Sequence, residues 1–241
     1  MPIPDRLRTT IFDLDGTLTD SRPGMLGCLE AALRAHDIAW EGSLEWFIGP
    51  PAGQSLAKLM PTRDPAFRTQ VLQHYRACYA AKGWTENQVY PGIHELLTTL
   101  QERGAALYLC TSKRVEFARR ILDHFGLTQF FSGVAADRAT SENHDKADLL
   151  RELLEEHAID RTSAVMIGDR EFDILAARAM GIPSIAVRYG YGSSEELAEG
   201  KPNATCDTVE ALASLLLARL PVTVPAGGTE VKERAQNDHF A

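Results

Sequence analysis

The chain has 241 residues, of which 44% are hydrophobic and 24% charged, proportions that suit a globular protein with one large core or two modest ones. A net charge of -8 and a pI near 5.4 argue against a nucleic-acid binder, which would show a basic face. The opening "MPIPDRLRTT" has no apolar leader and no run approaches membrane-spanning length, so a cytoplasmic protein with no membrane contact is expected.

In chain order, the first apolar run is "TTIF", Thr9 to Phe12, which stops at Asp13 and is followed by "LDGT". From about Arg22 to Tyr90 no convincing strand is present. Two helical runs, "GMLGCLEAALRAH" and "AFRTQVLQHYRACYAAKG", are separated by "IGPPAGQS", and the region reads as a small all-helical insert. Pro91 and Gly92 mark the return to an alternating pattern through "YPGIHELLTTLQERG". The run "AALYLC" then leads to Thr111, and "RVEFARRILDHFG" follows with Phe117, Ile121, Leu122 and Phe125 on one face and Gly126 as its stop. "KADLLRELLEEH" opens on Lys146, "SAVMIG" ends before Asp169, "EFDILAARAMG" is helical with Gly181 as its stop, and "SIAV" is a further short apolar run.

Buried strands alternating with helices predict an α/β fold: a doubly wound, Rossmann-like parallel sheet covered on both faces. The expected organisation is a core of residues 1–20 and 91–220, a helical unit of 21–90, and a polar Pro/Gly-containing tail, 221–241, that is flexible. Cys28, Cys78, Cys110 and Cys206 are widely scattered, with no CxxC pair and no Cys/His cluster, so neither a disulfide framework nor a zinc site is expected. Cys110, inside an apolar run, reads as a small core residue. The seven histidines show no metal-ligand spacing.

In a doubly wound sheet, ligands bind beyond the carboxyl ends of the strands where the strand order reverses. Asp13, Asp15, Thr111, Ser112, Asp169 and Asp173 all follow predicted strand ends, so they are expected to share one crevice. Asp169 and Asp173 are four residues apart, and a helix starting after Arg170 would point both carboxylates roughly the same way. Acids gathered so closely repel unless a cation stands between them, and oxygen ligands without His or Cys suit Mg²⁺. Lys146 at a helix N-terminus favours a phosphate group in the same crevice, with the Thr111 and Ser112 hydroxyls as neutral donors. Lys113 is the alternative lysine.

The segments "DLDGT", "TSK", the lone Lys146 and "GDREFD", in that order and spacing, resemble the four motifs of the haloacid dehalogenase-like hydrolases. The match spans nearly the whole chain except the tail. The helical insert is similar to that family's type-one cap, and "FIGPP" with "GDREFD" resembles the branch of phosphoglycolate phosphatases and bacterial 5'-nucleotidases. The resemblance implies that Asp13 is the nucleophile and forms an aspartyl phosphate, while Asp15 is the acid/base. It implies Mg²⁺ held by Asp13, the Asp15 carbonyl, Asp169 and Asp173, the last directly or through water, and phosphoryl oxygens held by Lys146 and Thr111. The loop from Gly49 to Ser55 would overhang the crevice and help select substrate, with Gly49, Pro50 and Ser55 as the candidates.

The implied substrate is a small phosphorylated metabolite, either phosphoglycolate or a nucleoside 5'-monophosphate, for an enzyme that is a monomer or homodimer. A carboxylate would need a cation such as Lys58, Arg63 or Arg114. A nucleoside would need an apolar slot, for which Trp46 and Phe47 are candidates. Related chemistries fit less well. A dehalogenase would lack Asp15, a phosphonate hydrolase would need a lysine where Gln54 stands, and a phosphosugar mutase usually carries a histidine where this chain has Met25. A non-catalytic phospho-ligand-binding module is the remaining alternative.

Overall fold

The computed structural model describes residues 2–138 and 145–221. Strand β1 (Thr9–Phe12) is buried along its length, and the chain then forms a short strand β2 (Thr19–Asp20). Three helices follow: α1 (Arg22–Ala35), α2 (Ala52–Leu59) and α3 (Pro65–Cys78). Strand β3 (Gln88–Val89) pairs antiparallel with β2 and returns the chain to the sheet. Beyond it lie α4 (Ile93–Glu102), β4 (Ala106–Arg114), α5 (Val115–His124), β5 (Gly133–Asp137), α6 (Lys146–Glu156) and β6 (Ala164–Gly168). The last elements are α7 (Glu171–Ala179), β7 (Ser184–Val187), α8 (Ser194–Gly200), β8 (Ala204–Cys206) and α9 (Val209–Leu217).

The six long-range strands form one parallel sheet in the order β5-β4-β1-β6-β7-β8. This is the expected doubly wound sheet, and β1 lies at its centre, where the strand order changes direction. Side chains alternate across its plane. Phe12 joins the apolar cluster under α4, α5 and α9, whereas Ile11 joins Tyr108, Cys110 and Met166 under α6 and α7. Covering both faces buries the short Val/Ile/Leu-rich runs completely, which is why they read as continuous apolar segments rather than alternating ones.

Helices α1 to α3 enclose their own cluster, with Leu29, Leu33, Phe47, Leu56, Val71 and Tyr75 among its buried members. Two expectations need correction here. The region read as strand-free contributes β3 at its end, and two residues are too few to leave an alternating pattern. The cysteines were expected to be unpaired, yet Cys28 and Cys78 are disulfide-bonded with their Cα atoms 5.5 Å apart. Fifty residues separate them, and only the packing of α1 against α3 brings them together. Cys110 and Cys206 are free and buried. No helix of the described residues is long and apolar enough to cross a membrane. The C-terminal segment expected to be a flexible tail lies, from residue 222 on, outside the described residues, as do residues 139–144.

Candidate active site

Asp13 and Asp15 leave the C-terminal end of β1, and Gly16 turns the chain with φ +82°. Glycine suits this position for two reasons. The backbone is left-handed, and a Cβ there would run into the carboxylate of Asp169. Asp169 follows β6, the neighbour of β1 in the sheet. Asp173 lies in the first turn of α7, where its Oδ2 accepts a hydrogen bond from the Arg170 N–H at 3.0 Å. That cap points the other oxygen back toward the strand ends.

The side chains of Asp13, Asp169 and Asp173 converge, offering oxygens that all lie within 4.8 Å of one another. All three are buried. Asp169 is held by the Tyr191 N–H, which donates to Oδ2 at 2.7 Å, and by the Thr17 hydroxyl, which donates to Oδ1 at 3.3 Å. Lys146, at the start of α6, reaches the cluster: its Nζ lies 2.9 Å from Asp13 Oδ1 and also pairs with Asp173 Oδ1. Asp145 caps that helix by accepting from the Asp148 N–H at 2.9 Å, which fixes where Lys146 emerges.

The electrostatics are unbalanced. Burial, reinforced by Asp173 and Asp13, pushes the Asp169 carboxyl well above the usual carboxylate range. Burial also raises Asp13, against the opposing pull of Lys146. For Lys146, burial alone would lower the pKa, but Asp13 and Asp173 more than offset it and the ammonium is held charged. Three buried carboxylates facing one ammonium leave two negative charges to cancel. A hard divalent cation with oxygen ligands fits that charge and that donor set, so the residues suit magnesium.

Asp15 stands apart from the cluster. Its Oδ2 is 2.8 Å from Nζ of Lys113, and the same ammonium donates to the Tyr79 hydroxyl at 2.8 Å. Thr111 and Ser112, expected to follow a strand end, lie within β4, which runs on to Arg114 past a shift in register. Thr111 is buried, and its hydroxyl oxygen accepts from the Lys113 N–H at 3.2 Å. Thr111, Ser112, Asp13, Asp15, Lys146 and Lys113 all line a cavity of about 160 Å³. Residues of the helical unit also line it, including Gly49 and Pro50 of the loop before α2.

Several specificity expectations change. Ser55 does not line this cavity; its hydroxyl donates to the Phe47 carbonyl at 3.4 Å, inside the helical unit. Phe47 is fully buried edge-on against Tyr75, so it offers no slot. Trp46 faces a separate outer groove, where Lys58 sits 4.9 Å above its ring. Arg63 lies over Phe67, away from the site. Of the three proposed cations only Arg114 lines the cavity, and its Nε is 2.7 Å from Glu116. The aromatic side chains that do line it are Tyr75, Tyr79, Phe117 and Phe172. Sequence reasoning missed Tyr79 because nothing local distinguishes it from a core tyrosine. It kept Lys113 only in reserve, although its place two residues after Thr111 is a usable signal.

Comparison with known proteins agrees with this geometry. A family model described as haloacid dehalogenase-like hydrolase matches residues 10–187. A Pseudomonas aeruginosa protein named 5'-nucleotidase is 37% identical over 213 residues, covering 88% of this chain and 96% of that protein. A Vibrio cholerae phosphoglycolate phosphatase is 29% identical over 220 residues, 88% of this chain and 97% of its own. A crystal structure from Clostridium acetobutylicum, described as a predicted phosphatase, superposes with a TM-score of 0.82 at 37% identity, covering 88% of this chain and 99% of that one. The chain belongs to the haloacid dehalogenase-like hydrolases.

Proposed function

We propose that the protein is a Mg²⁺-dependent phosphomonoesterase that hydrolyses a small phosphorylated metabolite through an aspartyl phosphate on Asp13. The observation that carries this reading is the juxtaposition of Asp13 with both the buried Asp169–Asp173 pair and Lys146, at the centre of the sheet's C-terminal edge. Asp13, the Asp15 carbonyl, Asp169 and Asp173 would hold the magnesium ion, which supplies positive charge where an anionic nucleophile meets an anionic phosphate.

The remaining chemistry belongs to the chain. An Asp13 oxygen attacks phosphorus while the bond to the leaving oxygen breaks, and Asp15 delivers a proton to that oxygen. Asp15 then takes a proton from water, whose oxygen attacks phosphorus and breaks the bond to Asp13, releasing inorganic phosphate. Lys146 and the hydroxyls of Thr111 and Ser112 hold the phosphoryl oxygens, and Lys113 keeps the Asp15 carboxylate oriented.

Two substrate classes have support. Tyr75, Tyr79 and Phe117 offer an aromatic wall for a nucleoside 5'-monophosphate, in keeping with the 5'-nucleotidase relative. Arg114 at the rim offers a cation for the carboxylate of phosphoglycolate, in keeping with the phosphoglycolate phosphatase relative. The test is a screen of phosphorylated metabolites in Mg²⁺, ranked by kcat/KM, with Asp13→Asn as control. Turnover by the wild type that Asp13→Asn abolishes supports the reading. Turnover that survives Asp13→Asn, or no turnover of any phosphomonoester, rejects it.

A further inference from the structure

Arg170 is buried, yet its guanidinium spans the boundary between the sheet and the helical unit. On the sheet side its Nε donates to Glu196 Oε1 at 2.7 Å. Glu196 is itself fixed at the start of α8, where its oxygen also accepts the Glu171 N–H at 3.0 Å and its own N–H donates to the Ser193 hydroxyl oxygen at 3.1 Å. On the other side, Arg170 Nη1 donates to the carbonyl of Ile48, just before the loop that overhangs the site. The next residue is Gly49, with φ +113°, and a Cβ there would sit 2.5 Å from Arg170 Nη1. The arginine and the glycine therefore fit each other by close approach.

Two cavities meet at this arginine. The reaction cavity, about 160 Å³, lies on one side, and an outer groove of about 540 Å³ lies on the other, lined by Trp46, Gln54, Lys58 and Glu199. Pro50, Arg170 and Phe172 line both, so they form the partition between them. Phe172 lies under the guanidinium, 5.7 Å from ring centre to Cζ.

We propose that Arg170 is a positioning residue that sets specificity: anchored by Glu196, it pins the Ile48 carbonyl so that the Gly49–Pro50 loop walls the reaction cavity off from the outer groove and limits the size of the leaving group. This deepens the phosphomonoesterase reading and rests on it. Without the pin, the two cavities merge and a bulky leaving group extends into the groove that Trp46 and Lys58 line.

The experiment compares kcat/KM for a bulky substrate, a nucleoside 5'-monophosphate, with that for a compact one, phosphoglycolate, in wild type, Arg170→Met, Arg170→Lys and Glu196→Gln. Hydrogen exchange at the amides of Ile48, Gly49, Ala52 and Gly53 is followed in parallel. In Arg170→Met the bulky-to-compact ratio is expected to rise about tenfold, mainly through KM. The loop amides should exchange about tenfold faster, Arg170→Lys should restore part of both effects, and Glu196→Gln should shift both in the same direction to a smaller extent. An unchanged ratio in an active enzyme overturns the proposal. Should Arg170→Met fail to fold, Glu196→Gln decides it by the same two measurements. If the wild type hydrolyses neither substrate, exchange rates alone support or overturn the pin, and the phosphomonoesterase reading fails separately only when no phosphomonoester is hydrolysed.

Discussion

Lys113 joins Asp15 to Tyr79: one ammonium lies 2.8 Å from a carboxylate at the end of β1 and 2.8 Å from a hydroxyl at the end of α3. It also lies 4.9 Å from the centre of the Tyr79 ring. Burial would by itself disfavour this ammonium, but Asp15 and Tyr79 outweigh it and keep it charged. Replacing Lys113 with Met removes a cation from the reaction cavity and frees the Asp15 side chain. We expect kcat/KM to fall about 10²-fold. Tyr79→Phe deletes only the hydroxyl, a loss of about 0.5–1.5 kcal/mol that corresponds to a two- to tenfold drop. Steady-state kinetics on a common substrate such as p-nitrophenyl phosphate measure both, and equal effects for the two variants would contradict this ordering.

Metal and pH act on the same carboxylates. A carboxyl whose pKa is raised by folding contributes stability below its unfolded value, and that contribution is lost as pH rises through the folded value. Asp169 and Asp13 are both raised from the ordinary 3.8. With divalent cations removed by EDTA, thermal stability should therefore decline as the pH climbs from about 4 toward neutrality. Added Mg²⁺ should offset that decline, so the gap between Tm with and without it widens with pH. Melting curves at several pH values give the result directly, and a gap that narrows on going to neutral pH would count against the cluster as the binding site.

Gly16→Ala should be costly for a local reason. The backbone is left-handed there, and the new methyl group would displace Asp169. Strain of this kind costs on the order of 1–3 kcal/mol, before any loss of metal ligation. Urea unfolding reports the first part, and calorimetric titration with Mg²⁺ reports the second. A variant matching wild type in both would mean that Asp169 has room to retreat.

Thiol chemistry tests the disulfide. Cys110 is pushed up to about 12 by burial, and burial also raises Cys206, so neither presents a thiolate near neutral pH. Without reductant, the folded protein should take up almost no iodoacetamide at pH 8. The Cys28→Ser/Cys78→Ser double variant should lose on the order of 2–4 kcal/mol, since the bond closes a long loop. Denaturation midpoints measure this loss, and quantitative labelling of four thiols in the untreated protein would show that no bond forms.

Much of this architecture was legible in the chain because its signals are local. "TTIF" followed by "DLDGT", and "SAVMIG" followed by "GDREFD", each carry a buried strand and its acidic end within ten residues or so. Gly126 and Gly181 sit at the helix stops with positive φ, as their placement foretold. The relationships that were not legible are those between distant segments. Cys28 with Cys78 depends on how α1 packs on α3 inside the helical unit, whereas Lys113 with Tyr79 and Arg170 with Ile48 depend on how that unit docks, and no spacing rule encodes either. Trp46 and Phe47 were misjudged because an aromatic pair beside a loop looks the same whether it faces a ligand or its own helices. Phe47 turns inward to Tyr75, and Trp46 turns outward beneath Lys58.

The antiparallel pairing of Thr19–Asp20 with Gln88–Val89 has a topological consequence. Because the outbound and inbound strands are hydrogen-bonded neighbours, everything between them is a detour whose two ends already touch. A tight two-residue hairpin turn could replace the detour without altering the register of the parallel sheet. Such a miniaturised chain would keep its nucleophile and acidic cluster yet lose both Tyr79 and the Ile48 loop. Evolution could therefore exchange one detour for another, changing what the protein accepts while leaving its reactive centre untouched.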